Sequence, residues 1–346
     1  MYSPLASRHA NRFDCLRWLA AWLVLAGHSY TLGGVGDDEL LYRFMAPLRL
    51  GDVGVVIFFI LSGYLVVQSL ERSPHVLNFL WRRGLRIYPA LIVVVGVCLF
   101  ILGPWLTRLS AHTYWADALT WEYALNASAY WIRFWLPGVF ESNPWPGAVN
   151  GSLWSLPYEL LCYALLAMAA CLPLSLRNKV MSLFLIFLGL WLWRVIAALD
   201  SPFHRLGGLD AYHARLGTIF FLGAVAGVWR DVFSPRLWQG ALVLTIALLV
   251  GHGALQGMLF LIALAWIALS LALNALWLPD IPDRMGDWSY GLYLYGFPVQ
   301  QTLAHFHVHQ QGVAAFLFWS TLCTLLPAAL SWYYIEKPIL GRFRRG

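Results

Sequence analysis

The chain is a succession of long apolar runs set apart by short polar breaks. A helix that crosses a bilayer needs roughly 20 mainly apolar residues. Runs of about that length recur at about 15–34, 50–70, 87–103, 152–173, 180–199, 212–229, 237–252, 257–277, 288–306 and 312–334. The pattern predicts an all-α protein, a polytopic transmembrane helical bundle of about ten helices. Leu237 to Val250 and Gly257 to Trp277 are near-continuously apolar, whereas a membrane β-barrel shows alternating segments of roughly ten residues. One stretch breaks the rhythm. The loop at about 104–151 is long and rich in aromatic residues, among them Trp105, Trp115, Trp121, Trp131, Trp135 and Trp145. Aromatic side chains favour the headgroup level, which makes this loop an interfacial segment; the alternative is an outward surface on which sugar rings stack.

Composition narrows the picture. Of 346 residues, 60% are hydrophobic and only 12% charged, too few charges for a soluble domain that must cover itself with polar surface. One helical membrane domain, 1–346, accounts for the chain, with membrane lipid as its solvent and no soluble C-terminal domain expected. The net charge of +6 suggests nucleic acid only until the basic residues are placed. With the N-terminus inside, cytoplasmic segments collect Arg8, Arg12, Arg17, Arg72, Arg82, Arg83, Arg86, Arg177, Lys179, Arg230, Arg236, Arg284, Lys337, Arg342, Arg344 and Arg345. The outer segments collect Arg43, Arg49, Arg108, Arg133, Arg205 and Arg215. That asymmetry places both termini in the cytoplasm and leaves no nucleic-acid partner to invoke. A cleaved leader over the first ~30 residues is the lesser reading of Arg8, Arg12 and Arg17 before an apolar run. Cys15, Cys98, Cys162, Cys171 and Cys323 stand alone in apolar stretches, which suits buried small hydrophobes; no metal is expected.

Ionisable residues inside these spans carry the candidate chemistry, because each costs about 2.5–3.5 kcal/mol to insert at a helix centre. Arg17 and His28 are eleven positions apart, about three helical turns, so they share one face about 16 Å apart along the axis. Arg17 could instead snorkel to the inner interface, and His28 could be a hydrogen-bonded packing residue. The stretch GSLWSLPYELLCY places Glu159 in the fourth span, at a depth similar to that of His28. A carboxylate beside an imidazole fixes its tautomer and raises its basicity; the alternative for Glu159 is an ion pair with Arg194. Pro157 removes a backbone donor next to it. In FFILSGYLV, Ser62 and Gly63 suit close helix packing, while Ser62 as a nucleophile is the sharper idea, with no base evident in sequence. Arg82, Arg83 and Arg86 in WRRGLRIYP fall within little more than a turn, a grip for phosphates or a contact for anionic lipid. Ser62, Tyr64, Trp154 and Tyr158 are the candidate substrate contacts.

The Arg17/His28 spacing, FFILSGYLV, WRRGLRIYP, GSLWSLPYELLCY, SYGLYLYGFPVQ at Ser289 to Gln300 and WYYIEKP at Trp332 to Pro338 together resemble the integral-membrane acyltransferase family 3, the O-antigen, exopolysaccharide and Nod-factor O-acetylases. The resemblance runs from about residue 10 to 340. It implies a ten-helix core that takes an acyl group, most often acetyl, from cytoplasmic acyl-CoA (acetyl-CoA as co-substrate) and places it on a glycan or lipid-linked saccharide across the inner membrane. It implies that Arg17 and His28 are the essential pair, with His28 the base, and that Arg82, Arg83 and Arg86 serve the acyl-CoA side. Many relatives carry two acidic residues in the fourth-helix motif, whereas this chain has Glu159 followed by Leu160. The competing reading is a proton-coupled transporter or flippase of a glycolipid or small metabolite, which buried Arg, His and Glu residues would also suit.

Overall fold

The computed structural model describes residues 4–72, 75–200, 209–232, 234–251, 253–275, 278 and 286–342, and helices dominate them. Arg8, Arg205, Arg284, Arg342, Arg344 and Arg345, which entered the charge argument, have side chains outside the described residues. Numbering the longer helices only, these are α1 Pro4–Leu32, α2 Leu50–Arg72, α3 Val76–Val97, α4 Leu156–Ala170, α5 Leu176–Asp200, α6 Leu209–Val228, α7 Leu237–Leu249, α8 Ala254–Asn274, α9 Ser289–His305 and α10 Val313–Ser331.

Six helical stretches among the described residues are long and apolar enough to cross a membrane: Leu50–Arg72, Val76–Leu106, Gly151–Ala170, Leu176–Ile196, Ala254–Asn274 and Val313–Gly341. Tyr212–Val228 and Leu237–Leu249 are shorter apolar helices. The predicted spans at about 15–34 and 288–306 do form helices, α1 and α9, but neither is among the six. Both are diluted by polar side chains.

Two boundaries differ from the sequence reading. The third helix begins at Val76, not near 87, and runs through Pro89. Arg82, Arg83 and Arg86 therefore stand on a helix rather than in a connecting stretch, and Pro89 leaves one carbonyl of the turn before it without its helical donor. Pro157 is the second residue of α4 and follows a 3-10 turn at Gly151–Ser155. A proline in the first turn gives up a donor that an α-helix start leaves unpaired.

The chain forms two compact units, one of Met1–Arg17, Val53–Trp81 and Leu161–Asp283, the other of Trp18–Asp52, Arg82–Leu160 and Arg284–Gly346. In the first unit α2 and α6 touch backbone to backbone. A Cβ on Gly63 would lie 1.9 Å from the Phe220 carbonyl oxygen, and one on Gly223 would lie 2.1 Å from that of Ile60. Gly227 meets Tyr64 and Val67 in the same way. Small residues replace the hydrophobic effect as the driving force where lipid surrounds the helices, since close approach maximises dispersion contacts. In this unit Ser62 Oγ meets the Tyr163 hydroxyl at 3.0 Å. A cavity of about 210 Å³ opens between Tyr64, Ala226, Arg230, Pro235, Leu273 and Asn274.

The second unit is knit by polar side chains. The connection at about 104–151 carries regular local structure. It contains short helices at Ala111–Ala116 and Ala118–Glu122, capped by Ser110 and Asp117, and a 3-10 turn at Tyr123–Ser128. The Asn126 amide ties that turn down, donating to the carbonyls of Tyr123 and Arg133 and accepting from Arg133 N. Trp105, Trp121, Trp131, Trp135 and Trp145 are exposed.

Candidate functional site

The second unit is organised around α9. Its sequence SYGLYLYGFPVQQ places tyrosine hydroxyls and two amides along an otherwise apolar helix, and each finds partners. Gln300 and Gln301 are fully buried. Gln300 Nε2 donates to Leu25 O at 2.9 Å and Ser29 Oγ at 2.8 Å, both on α1. Gln301 Nε2 donates to the carbonyls of Trp145 and Ala148, and its Oε1 accepts from Asn143 Nδ2 at 2.7 Å. Asn150 Nδ2 donates to Leu294 O at 2.9 Å. The Tyr293 hydroxyl bonds with Ser155 Oγ at 2.6 Å and donates to Ser152 O. The Tyr290 hydroxyl donates to Ile87 O at 2.9 Å. Polar groups in a bilayer-spanning fold have no water to fall back on, so such a set fixes one register.

His28 lies in the middle of this grip. The stretch of α1 that carries it is held by Gln300 through Leu25 and Ser29. Gly27 has Gly51 N 2.7 Å from its would-be Cβ, and Gly296 has Leu25 Cδ1 at the same distance. The His28 ring packs edge-on against Phe297, with centroids 5.0 Å apart. Phe297 in turn packs on Gly151 at the start of the GSLWS turn. The ring is half-buried, and its buried Nδ1 has no hydrogen-bond partner. A held imidazole whose nitrogen is not already engaged suits proton transfer.

The other sequence candidates fall as follows. Arg17, half-buried, pairs with Asp14 on its own helix, Nη1 to Oδ1 at 3.2 Å, an acidic neighbour that the sequence reading passed over. Glu159 makes no hydrogen bond to the Nδ1 of His28, which is buried without a partner. The Glu159 charge bears on Tyr290 and Tyr293 instead. Arg82 is exposed, and Arg83 is half-buried with a buried, unpartnered Nε. Arg86 is committed elsewhere, paired with Asp287 and, at 3.5 Å, with Glu336. Those carboxylates are 9% and 2% exposed, so this is an interior ion cluster. Ser62 Oγ lies within hydrogen-bond distance of the Tyr163 phenol. Tyr64 is buried, stacked on Phe13 with centroids 5.6 Å apart. Tyr158 is buried and meets Trp154 edge-on at 5.8 Å.

The sequence reading did not single out Gln300, Gln301, Tyr293, Asp287 or Glu336. The signal for the two glutamines was the one used for His28, a polar side chain inside an apolar run. Glu336 had a second signal, its place in WYYIEKP; there the helix widens into a π turn over Trp332–Glu336, a form common at functional sites.

Comparison with known proteins gives the family of the chain. The family model described as an acyltransferase domain matches residues 11–335. The chain is similar to the O-acetyl transferase of Shigella phage Sf6, 28% identical over 96% of this chain and 97% of that protein. It is also similar to nodulation protein 10 of Rhizobium leguminosarum bv. viciae, 28% identical over 97% and 94% of the two chains. With the exopolysaccharide production protein ExoZ of Rhizobium meliloti the identity is 30% over 86% and 92%. No solved structure matches it.

Proposed function

The chain belongs to the acyltransferase family that its residues 11–335 match, and from that premise we propose that it transfers acetyl from cytoplasmic acetyl-CoA to a hydroxyl of a carbohydrate outside a bacterial inner membrane. It is a multi-pass membrane acyltransferase of the O-acetylating kind. In the finer reading the ten helices α1 to α10 all span, both termini are cytoplasmic, and the loop at about 104–151 faces outward with its exposed tryptophans toward the glycan. The relatives' names, an O-acetyl transferase and an exopolysaccharide production protein, support a sugar acceptor.

The observation that carries the reading is the clamped His28 ring with its buried, unpartnered Nδ1. His28 takes the proton of the acceptor hydroxyl as the oxygen bonds to the thioester carbonyl carbon. The carbon–sulfur bond then breaks, and the imidazolium returns the proton to the departing thiolate, leaving an ester and free thiol. Arg17 lies about 16 Å below His28 on the same helix, too far to touch the reacting carbonyl. Arg82 and Arg83 serve the polar end of the donor. Arg86 holds Asp287 and Glu336 and so positions the α9 end of the site. Glu159 sets the electrostatics around Tyr293, with Trp154 and Tyr158 on the acceptor side.

The test is transfer of radiolabel from acetyl-CoA to envelope glycan in membranes. Replacing His28 with Ala or Gln lowers transfer by about 100-fold or more while the protein keeps its wild-type melting profile in detergent. Undiminished ester formation by the folded variants overturns the assignment, and flux of a glycolipid without label transfer points to a transporter instead.

A further inference from the structure

Three tryptophans near the Arg86 cluster are unaccounted for by the chemistry above. Trp18 Nε1, Trp288 Nε1 and Trp332 Nε1 are each buried without an acceptor. They come from α1, from the residue before α9 and from the π turn after α10, yet they gather at one place. The Trp18 and Trp288 rings are 5.5 Å apart, and Trp288 meets Tyr333 at 6.0 Å. Gly286, at φ +71°, has no Cβ where one would lie 2.0 Å from Trp332 Nε1. The segment Gly286–Trp288 is therefore the meeting point, and a glycine makes room there for an indole edge.

An indole N–H donates and cannot accept, and a buried donor left alone is unfavourable. Asp287 lies among the three, but its carboxylate is engaged by Arg86 and by the Ser289 N–H and hydroxyl. Arg83 adds a fourth buried donor in this unit, its Nε. On the acceptor side the cluster offers Glu336 Oε2, which has no hydrogen bond although Arg86 Nη1 is 3.5 Å away. Several donors with one free acceptor do not suit a dianionic phosphate beside two carboxylates. They suit a neutral chain that carries carbonyl oxygens and an occasional N–H, that is, secondary amides.

We propose that Trp18, Trp288 and Trp332 form the seat for the amide-bearing pantetheine arm of the acyl donor, their N–H groups donating to its carbonyl oxygens. This rests on acyl-CoA being the donor. Trp18 adjoins Arg17 and stands ten residues, about 15 Å, along α1 from His28. An extended pantetheine arm bridges a gap of that order, so a donor seated at the indoles delivers its thioester toward His28.

The variants W18F, W288F and W332F keep a ring and delete the N–H. Each raises KM for acetyl-CoA about fivefold, the worth of one such hydrogen bond, with kcat within about twofold. None changes the rate with S-acetyl-mercaptoethanol, a thioester without amides. Unchanged KM in all three variants, or equal losses with both thioesters, overturns the proposal by making the indoles structural. Thermal shift gives a reading independent of turnover. Coenzyme A stabilises wild type more than the triple Phe variant, whereas adenosine 3',5'-bisphosphate, which lacks the arm, shifts both equally; equal shifts with coenzyme A also overturn it. If wild type takes acetyl from no acyl-CoA at all, the donor reading itself fails and this inference goes with it.

Discussion

Helix α6 in the first unit and helix α9 in the second are buried by opposite means. Along α6, Gly223 and Gly227 let the backbone lie directly against α2, and Phe220 and Phe221 are fully buried beside them. Along α9, Tyr290, Tyr293, Gln300 and Gln301 reach out to α1, α3, the GSLWS turn and the connection at about 104–151 through hydrogen bonds. The first kind of contact is strong but unspecific in chemistry. The second fixes where each atom of a neighbour lies, which a half-buried imidazole needs and a structural helix pair does not.

Four measurements sharpen or break that contrast. The largest effect belongs to the glycine contact. Gly63→Val and Gly223→Val each force backbone apart where a Cβ already falls near 2 Å from a carbonyl oxygen, so each costs about 3 kcal/mol or more. Folded protein recovered from membranes should collapse, and normal yield with an unshifted melting curve would show that the close approach is not what holds α2 to α6.

Next comes the Arg86 cluster. Arg86→Ala leaves Asp287 and Glu336 buried without their cation and costs about 3–5 kcal/mol in detergent unfolding. Adding Glu336→Gln in that background restores part of the loss, since one of the stranded charges is gone. Strict additivity in the double-mutant cycle would deny the coupling.

The amides should have smaller and separable effects. Gln301→Leu strips donors from Trp145 O and Ala148 O, at about 1–3 kcal/mol, and hydrogen exchange should quicken over 143–150. Gln300→Leu frees α1 at Leu25 and Ser29, so transfer should fall further than stability does. If the two variants lose activity and stability in the same proportion, α9 is a structural helix like α6 and the contrast fails.

The smallest effect is that of Glu39, in the connection between α1 and α2. Its carboxyl is fully buried and accepts from Leu50 N, and burial pushes its pKa up from the ordinary value of 4.5, against the Leu50 hydrogen bond and the Arg49 charge, which pull it down. The folded form therefore binds its proton more tightly than the unfolded chain does. That contribution to stability is complete below the unfolded pKa and is lost as pH rises through the folded one. Glu39→Gln should flatten this stretch of the curve of melting temperature against pH, and identical curves for the two proteins would refute it.

Much of this was open to reading in the chain. Apolar runs of sufficient length announced a helical membrane protein, because the bilayer sets a length and a polarity that few sequences satisfy by accident. The ordered motifs pointed to the acyltransferase family, and the Arg17/His28 spacing to α1. The start of the third helix was missed because polar residues from Val76 to Arg86 read as a connection, although helix tolerates them where one face is wet. Arg86 was taken with Arg82 and Arg83 because adjacency in sequence suggested a shared task.

By itself, then, the sequence determined the class of solvent, the helical form and the residues too polar for their surroundings, since these depend on local composition and on a fixed rise per residue. Only the tertiary structure decided the partners. Asp287 and Glu336 claim Arg86 from 201 and 250 positions away, and Gln300 reaches α1 across more than 270. Polarity marks a residue as needing a partner, while the packing of distant helices selects which one it meets.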